Sequence, residues 1–171
     1  LPLVSTFTVK KLTDSGTINF HISNPDRPLL LLIYLSPDCS LSKNYTLTLN
    51  KLFQQYGGQV QFYGCIPGSS YKYEEIQSFI TTYKMLFPFV IDENKKLTSY
   101  VAATVTPEVI LVNREGKRIY TGAIDDWAQG WGQQKIIVSK HYLQDAIVAS
   151  LSNKKIPVKE TTAYGCFIND Y

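Results

Sequence analysis

Three thiols, Cys39, Cys65 and Cys166, are the residues of this 171-residue sequence best suited to covalent chemistry. A thiol becomes a nucleophile as thiolate. That form is favoured where a strand gives way to a helix, because unpaired N–H groups and the positive end of the helix dipole face the sulfur. Cys39 has this setting: Leu29 to Leu35 is apolar throughout, Ser36-Pro37-Asp38 turns the chain, and a helical pattern follows. The other reading is a cysteine packed as a small apolar side chain. If Cys39 attacks a disulfide, a second sulfur must resolve the mixed disulfide. Cys166, beside Gly165 in a polar tail, is the candidate for that step; alternatively it is an unpaired tail residue. Cys65 lies inside an apolar segment and reads as a buried structural thiol. An odd count leaves at least one thiol without an intramolecular partner.

Few other residues compete for roles. Ser42, one turn beyond Cys39, either hydrogen-bonds the Cys39 thiolate or is an ordinary first-turn residue. Asp38 gains no role, since a carboxylate beside a thiolate raises its pKa by repulsion. His141 reads as a surface or cap residue, and Trp127 and Trp131 either form an apolar rim for partners or cover a sheet edge.

The elements that must position these residues follow from periodicity. Phe7 to Phe20, interrupted by Asp14-Ser15-Gly16, predicts a hairpin, and Leu29 to Leu35 predicts a central strand covered on both faces. Leu49, Leu52, Phe53 and Tyr56 share a face of one helix running from Cys39 to Gly57-Gly58. Val60 to Ile66 is a second parallel strand, and Ile76, Phe79, Ile80 and Tyr83 mark the next helix. Phe87 to Asp92 is a short extended piece, and Leu97, Tyr100 and Val101 mark a brief helix. Glu108 to Asn113 and Lys117 to Gly122 form a β-hairpin, Asp125 to Gln134 a loop, and Ser139 to Leu151 a last helix with Ser139 as N-cap. The chain is expected to be one domain over 1–171, with an N-terminal hairpin at about 7–20 and a tail at about 153–171.

Composition excludes several classes. With 44% apolar and 18% charged residues, the chain is an ordinary folded globule. Its net charge of +3 comes from scattered basic residues, so nucleic acid is not an expected partner. No apolar stretch reaches the roughly 18 residues that would cross a bilayer as a helix. The three isolated thiols and two histidines form no zinc-type pattern, and no metal or cofactor is expected. The start, Leu1-Pro2-Leu3-Val4, has no initiator Met or charged leader and reads as a mature or trimmed product.

Ile33 to Ser42 resembles the strand-to-helix site of thioredoxin-like redoxins, and Val105-Thr106-Pro107-Glu108-Val109 resembles the loop on which that fold carries a cis-proline. Val90-Ile91-Asp92, Tyr120 to Asp126 and Gly165-Cys166 extend the likeness from about Thr17 onward, to redoxin-domain proteins grouped with the alkyl hydroperoxide reductase and thiol-specific antioxidant family. The resemblance implies a thioredoxin-like α/β fold with a central mixed sheet flanked by helices. It also implies a cis Thr106–Pro107 bond aiming the Thr106 backbone at a substrate, and a thiol-disulfide oxidoreductase with Cys39, Cys166 and Ser42 in the catalytic site. Its partners would be protein or small-molecule disulfides and an external thiol reductant. Redoxins of this appearance are often exported, so the resemblance also sets an expectation of an extracytoplasmic, periplasmic or secreted, bacterial protein. Departures limit the alternatives. Ser42 replaces the second cysteine of Cys-x-x-Cys, Ile33 replaces thioredoxin's buried acid, and Leu32 replaces the proline of the peroxiredoxin motif, although Ser36 fits its hydroxyl position. A peroxide reductase with a Cys39 sulfenic acid, and a non-catalytic binding module, including one holding Cu(I) through Cys39, Cys166 and His141, remain the competing readings.

Overall fold

A computed structural model describes residues 6–12 and 16–168. Strands β1 (Thr6–Lys11) and β2 (Thr17–His21) pair antiparallel, with Phe7 opposite Phe20 and Val9 opposite Ile18. The expected turn residues Asp14 and Ser15 lie outside the described residues.

Strand β3 (Leu29–Tyr34) is buried at all six positions. Its side chains supply two cores: Leu31 and Ile33 join one face of the sheet, and Leu30, Leu32 and Tyr34 join the other. Burying each such leucine stabilises the fold by about 1.5–3 kcal/mol, which explains a strand with no polar alternation. Helices α1 (Ser40–Asn44) and α2 (Thr46–Tyr56) follow, and β4 (Val60–Pro67) then pairs parallel to β3. After α3 (Tyr73–Thr82), β5 (Phe89–Asp92) pairs parallel to β4 and antiparallel to β1, attaching the hairpin to the sheet.

Beyond α4 (Lys96–Val101) come the two-residue β6 (Val105–Thr106), β7 (Glu108–Asn113) and β8 (Arg118–Gly122). The sheet order is β2-β1-β5-β4-β3-β7-β8, with β7 antiparallel to both β3 and β8. Leu49 and Leu52 of α2 and Ile76 and Phe79 of α3 pack in the first core, while Leu97 and Val101 of α4 pack in the second.

Three local expectations change. The helix after Cys39 is divided at Tyr45, whose hydroxyl donates to Asp125 (2.7 Å) and accepts from the Ala128 N–H (3.3 Å), so the break serves a tertiary tether. The segment read as a loop at Asp125 to Gln134 contains a small hairpin of β9 (Ala128–Gly130) and β10 (Gln133–Gln134). The last helix, α5 (Tyr142–Leu151), starts later than Ser139, with His141 at its N-cap. Asp126 claims the Ser139 and Lys140 N–H groups and the Ser139 hydroxyl, so Ser139 docks the preceding turn instead of capping the helix. The last strand among the described residues is β11 (Cys166–Phe167), paired with β6.

Candidate functional site

Cys39 occupies the N-cap of α1 in extended conformation, φ −82° and ψ 120°. Its N–H donates to the Ser36 carbonyl (3.1 Å) and its carbonyl accepts from the Lys43 N–H (3.1 Å), closing the turn and starting the helix. The turn between β3 and α1 thus sets the Cys39 sulfur against the 105–107 loop. Cys39 is 1% exposed, and its Sγ lies 3.2 Å from the Thr106 carbonyl oxygen. That oxygen is placed to accept an S–H from reduced Cys39. The Thr106–Pro107 peptide bond is cis.

Cys39 is joined to Cys166 by a disulfide, with Cα atoms 6.0 Å apart. The pairing of β11 with β6 sets Cys166 opposite Thr106 and Phe167 opposite Val105, and the Ile168 N–H donates to the Thr104 carbonyl (3.0 Å). Earlier in the tail, Thr161 holds the chain to β8. Its N–H donates to the Thr121 carbonyl (3.0 Å), and its hydroxyl oxygen accepts from the Ala123 N–H (2.9 Å) and lies 2.7 Å from the Tyr120 hydroxyl. Gly165 runs so close to β6 that a Cβ there would collide with the Thr106 carbonyl, 2.6 Å from its carbon and 3.1 Å from the Pro107 nitrogen. The glycine permits the approach that brings Cys166 to Cys39.

Buried hydroxyls connect the pieces. The Ser42 oxygen accepts from the Ser36 N–H (3.2 Å), and the Thr106 hydroxyl donates to the Ser36 hydroxyl (2.9 Å). Ser42 is therefore bound to the turn before Cys39, and its recorded partner is that backbone amide, not the sulfur. Glu108, directly after Pro107, braces the loop from beneath: its carboxylate accepts from the Thr104 N–H (2.7 Å) and also from the Val105 backbone. Burial raises the Glu108 pKa, while these bonds and Arg118 oppose the rise.

A cleft of about 810 Å³ adjoins the site, with Pro37, Asp38, Tyr71 and Phe167 on its walls. The Tyr71 hydroxyl donates to Asp38 (2.6 Å) and is pushed up to about 12 by burial and by that carboxylate. Asp38 points to this cleft and away from a bond with Cys39. Cys65 is a free, buried thiol, and its pKa is driven up by burial and by the nearby charge of Asp92. His141 is exposed at the start of α5, Trp127 packs edge-on against Tyr45 (5.4 Å between centroids), and Trp131 is largely exposed. Among the described residues, no three His, Cys, Asp or Glu side chains gather into a group able to hold a metal, and no helix is long and apolar enough to cross a membrane.

Sequence reasoning singled out both joined cysteines but missed Glu108 and the demand on Gly165. An acid immediately after the loop proline was a visible signal for the first. The second depends on a long-range backbone approach that no local pattern records.

The order of the sheet, the helix-end cysteine and the facing proline loop define a thioredoxin-like α/β fold, and solved structures share it. One is the thioredoxin domain of a thiol-disulfide oxidoreductase from Bacteroides vulgatus, with a TM-score of 0.55 and 17% identity over 68% of this chain and 82% of that one. An uncharacterized conserved protein from Geobacillus kaustophilus aligns with a TM-score of 0.82 and 20% identity, covering 97% of this chain and 89% of its own. A secreted Mycobacterium tuberculosis disulfide oxidoreductase homologous to E. coli DsbE gives a TM-score of 0.56 and 16% identity over 66% of this chain and 79% of that one. No family model matches the chain, and no curated protein does.

Proposed function

We propose that this protein is a thiol-disulfide oxidoreductase in which Cys39 is the nucleophile and Cys166 the resolving thiol. The observation that carries the reading is the Cys39–Cys166 disulfide, formed where α1 begins and held in register by β11 on β6. The redoxin resemblance of Ser36 to Ser42 and of the Thr106-Pro107 loop supports the same assignment. In the reducing direction, the Cys39 thiolate attacks one sulfur of a substrate disulfide; a mixed disulfide forms and the second substrate sulfur leaves as thiolate. Cys166, deprotonated by solvent, then attacks the Cys39 sulfur, releasing the remaining substrate thiolate and forming the internal disulfide. Two electrons pass to the substrate, and an external thiol reductant restores the dithiol by two further exchanges. Thr106 and Pro107 present backbone to the substrate, and Ser42 is a positioning residue that holds the Ser36 turn. In this reading residues 1–171 act as one domain, because the tail completes the site. An oxidising, extracytoplasmic compartment suits a protein that rests as a disulfide, and a secreted oxidoreductase is among the structures of this fold.

The test is to equilibrate the purified protein in graded glutathione buffers, trap free thiols by alkylation and map them by mass spectrometry. The expected result is reversible opening of Cys39–Cys166, with Cys65 alkylated only after unfolding, and disulfide-reductase activity that disappears in Cys39→Ser. A reduced Cys39 that resists alkylation at neutral pH in the folded protein would sink the mechanism and favour a binding module. Peroxide turnover without disulfide reduction would replace it with the peroxidase reading.

A further inference from the structure

The tail does more than deliver a second sulfur. Among the described residues, β6 has β11 as its one ladder partner, so a substrate strand that reaches Cys39 along β6 has to replace the tail on the same backbone groups. The tail therefore records the path open to such a strand: antiparallel to β6, its cysteine opposite Thr106, the following residue opposite Val105.

We infer, resting on the oxidoreductase reading above, that this edge selects substrate strands with glycine immediately before the reacting cysteine. In the tail that place belongs to Gly165, and a Cβ there meets the Thr106 carbonyl and the Pro107 nitrogen. These are backbone atoms, so no rotamer change clears the space. Nor is β6 free to withdraw. The Thr106 hydroxyl is bonded to Ser36 (2.9 Å), and Glu108 holds the Thr104 N–H (2.7 Å) and the Val105 backbone. A residue larger than glycine therefore lifts the strand, and its cysteine, away from Cys39. The position after the cysteine is the opposite case: Phe167 is 74% exposed beside the cleft, so a large side chain is accepted there. The substrate class is an extended polypeptide carrying Gly-Cys followed by any residue.

The experiment uses the full chain with Cys166→Ser, reduced, and two short peptides, Tyr-Gly-Cys-Phe and Tyr-Ala-Cys-Phe. Each has its cysteine activated as a mixed disulfide with a coloured aromatic thiol. Attack by Cys39 forms the protein–peptide disulfide and releases the coloured thiolate, and each rate is divided by that of glutathione with the same peptide. The glycine peptide is expected to react about tenfold faster or more, the order set by forcing a methyl group into a filled contact. Equal normalised rates overturn the glycine rule and leave the oxidoreductase reading in place. No reaction with either peptide, while the unfolded protein reacts with both, overturns the reading and the rule together. A second measurement does not depend on Cys166→Ser being well folded. In glutathione buffers the effective concentration of Cys166 towards Cys39 should fall about tenfold or more in Gly165→Ala, yet change little in Phe167→Ala. A Gly165→Ala protein that forms the internal disulfide as readily as the parent overturns the inference.

Discussion

Glu108 holds two amide groups of the short strand that faces Cys39, in a setting with almost no water. Removing the carboxylate leaves the part-buried Thr104 N–H and the buried Val105 backbone without this acceptor, and a buried donor left unpaired costs about 1–3 kcal/mol. Glu108→Ala should thus lower unfolding stability by about 1–3 kcal/mol, measured by urea denaturation, and Glu108→Gln, which keeps one acceptor oxygen, should lose less. The pH dependence has a definite sign. Because burial raises the native pKa, the folded state binds its proton more tightly than the unfolded state does. The contribution is full below the ordinary carboxylate range and is lost as pH rises through the raised value. The stability of the parent relative to Glu108→Gln should improve on acidification from neutrality, and a difference independent of pH would contradict the assignment.

At the scale of elements, Asp126 is the tie between the β9/β10 hairpin and the approach to α5. Burial opposes its charge, but the Lys135 ammonium, the Ser139 hydroxyl and the N–H groups of Lys140 and Ser139 outweigh that and hold its pKa well below the usual carboxylate range. For a depressed carboxylate the stabilisation is present above the ordinary range and is lost as pH falls through the native value. Asp126→Asn should therefore lower the melting temperature at pH 7, and the difference should shrink in strong acid. This tie also shows why the segment was hard to read from sequence. Residues 125–134 have no apolar period, and their geometry comes from partners elsewhere in the chain: the Tyr45 hydroxyl on Asp125, and the backbone N–H groups of Ser139 and Lys140 on Asp126. The same competition delayed α5 past Ser139. By contrast β3 was legible because burial on both faces leaves a continuous apolar run, β4 because Val60, Phe62 and Ile66 still mark a mostly buried strand, and Cys39 because a strand end and a helix start meet there. The Ser42 partner was not legible, since the Ser36 amide lies six residues earlier and meets the hydroxyl only because the turn before α1 folds back onto the helix.

For the whole molecule, the disulfide links positions 127 residues apart. In a chain-entropy treatment, closing a loop of that length removes unfolded-state freedom equivalent to about 5 kcal/mol. The oxidised protein should be more stable to urea than Cys166→Ser by up to about that amount, with most of the effect reproduced by reducing the parent. Equal midpoints for the oxidised protein and the variant would mean that the tail ordering seen here adds no net stability. The tail also leans on β8 through Thr161, so a truncation before residue 160 should cost more than the serine substitution alone.

The same crosslink has a mechanical side. Stretched by its two ends, the oxidised chain could lengthen only through the residues outside the covalent ring that runs from Cys39 to Cys166. The enclosed stretch, a sequence separation of 127, would stay out of the pulled path, a hidden contour of about 430 Å at about 3.4 Å per residue. One reduction event would release all of it at once, so that the redox state of two sulfurs decides whether this protein behaves under tension as a short tether or a long one.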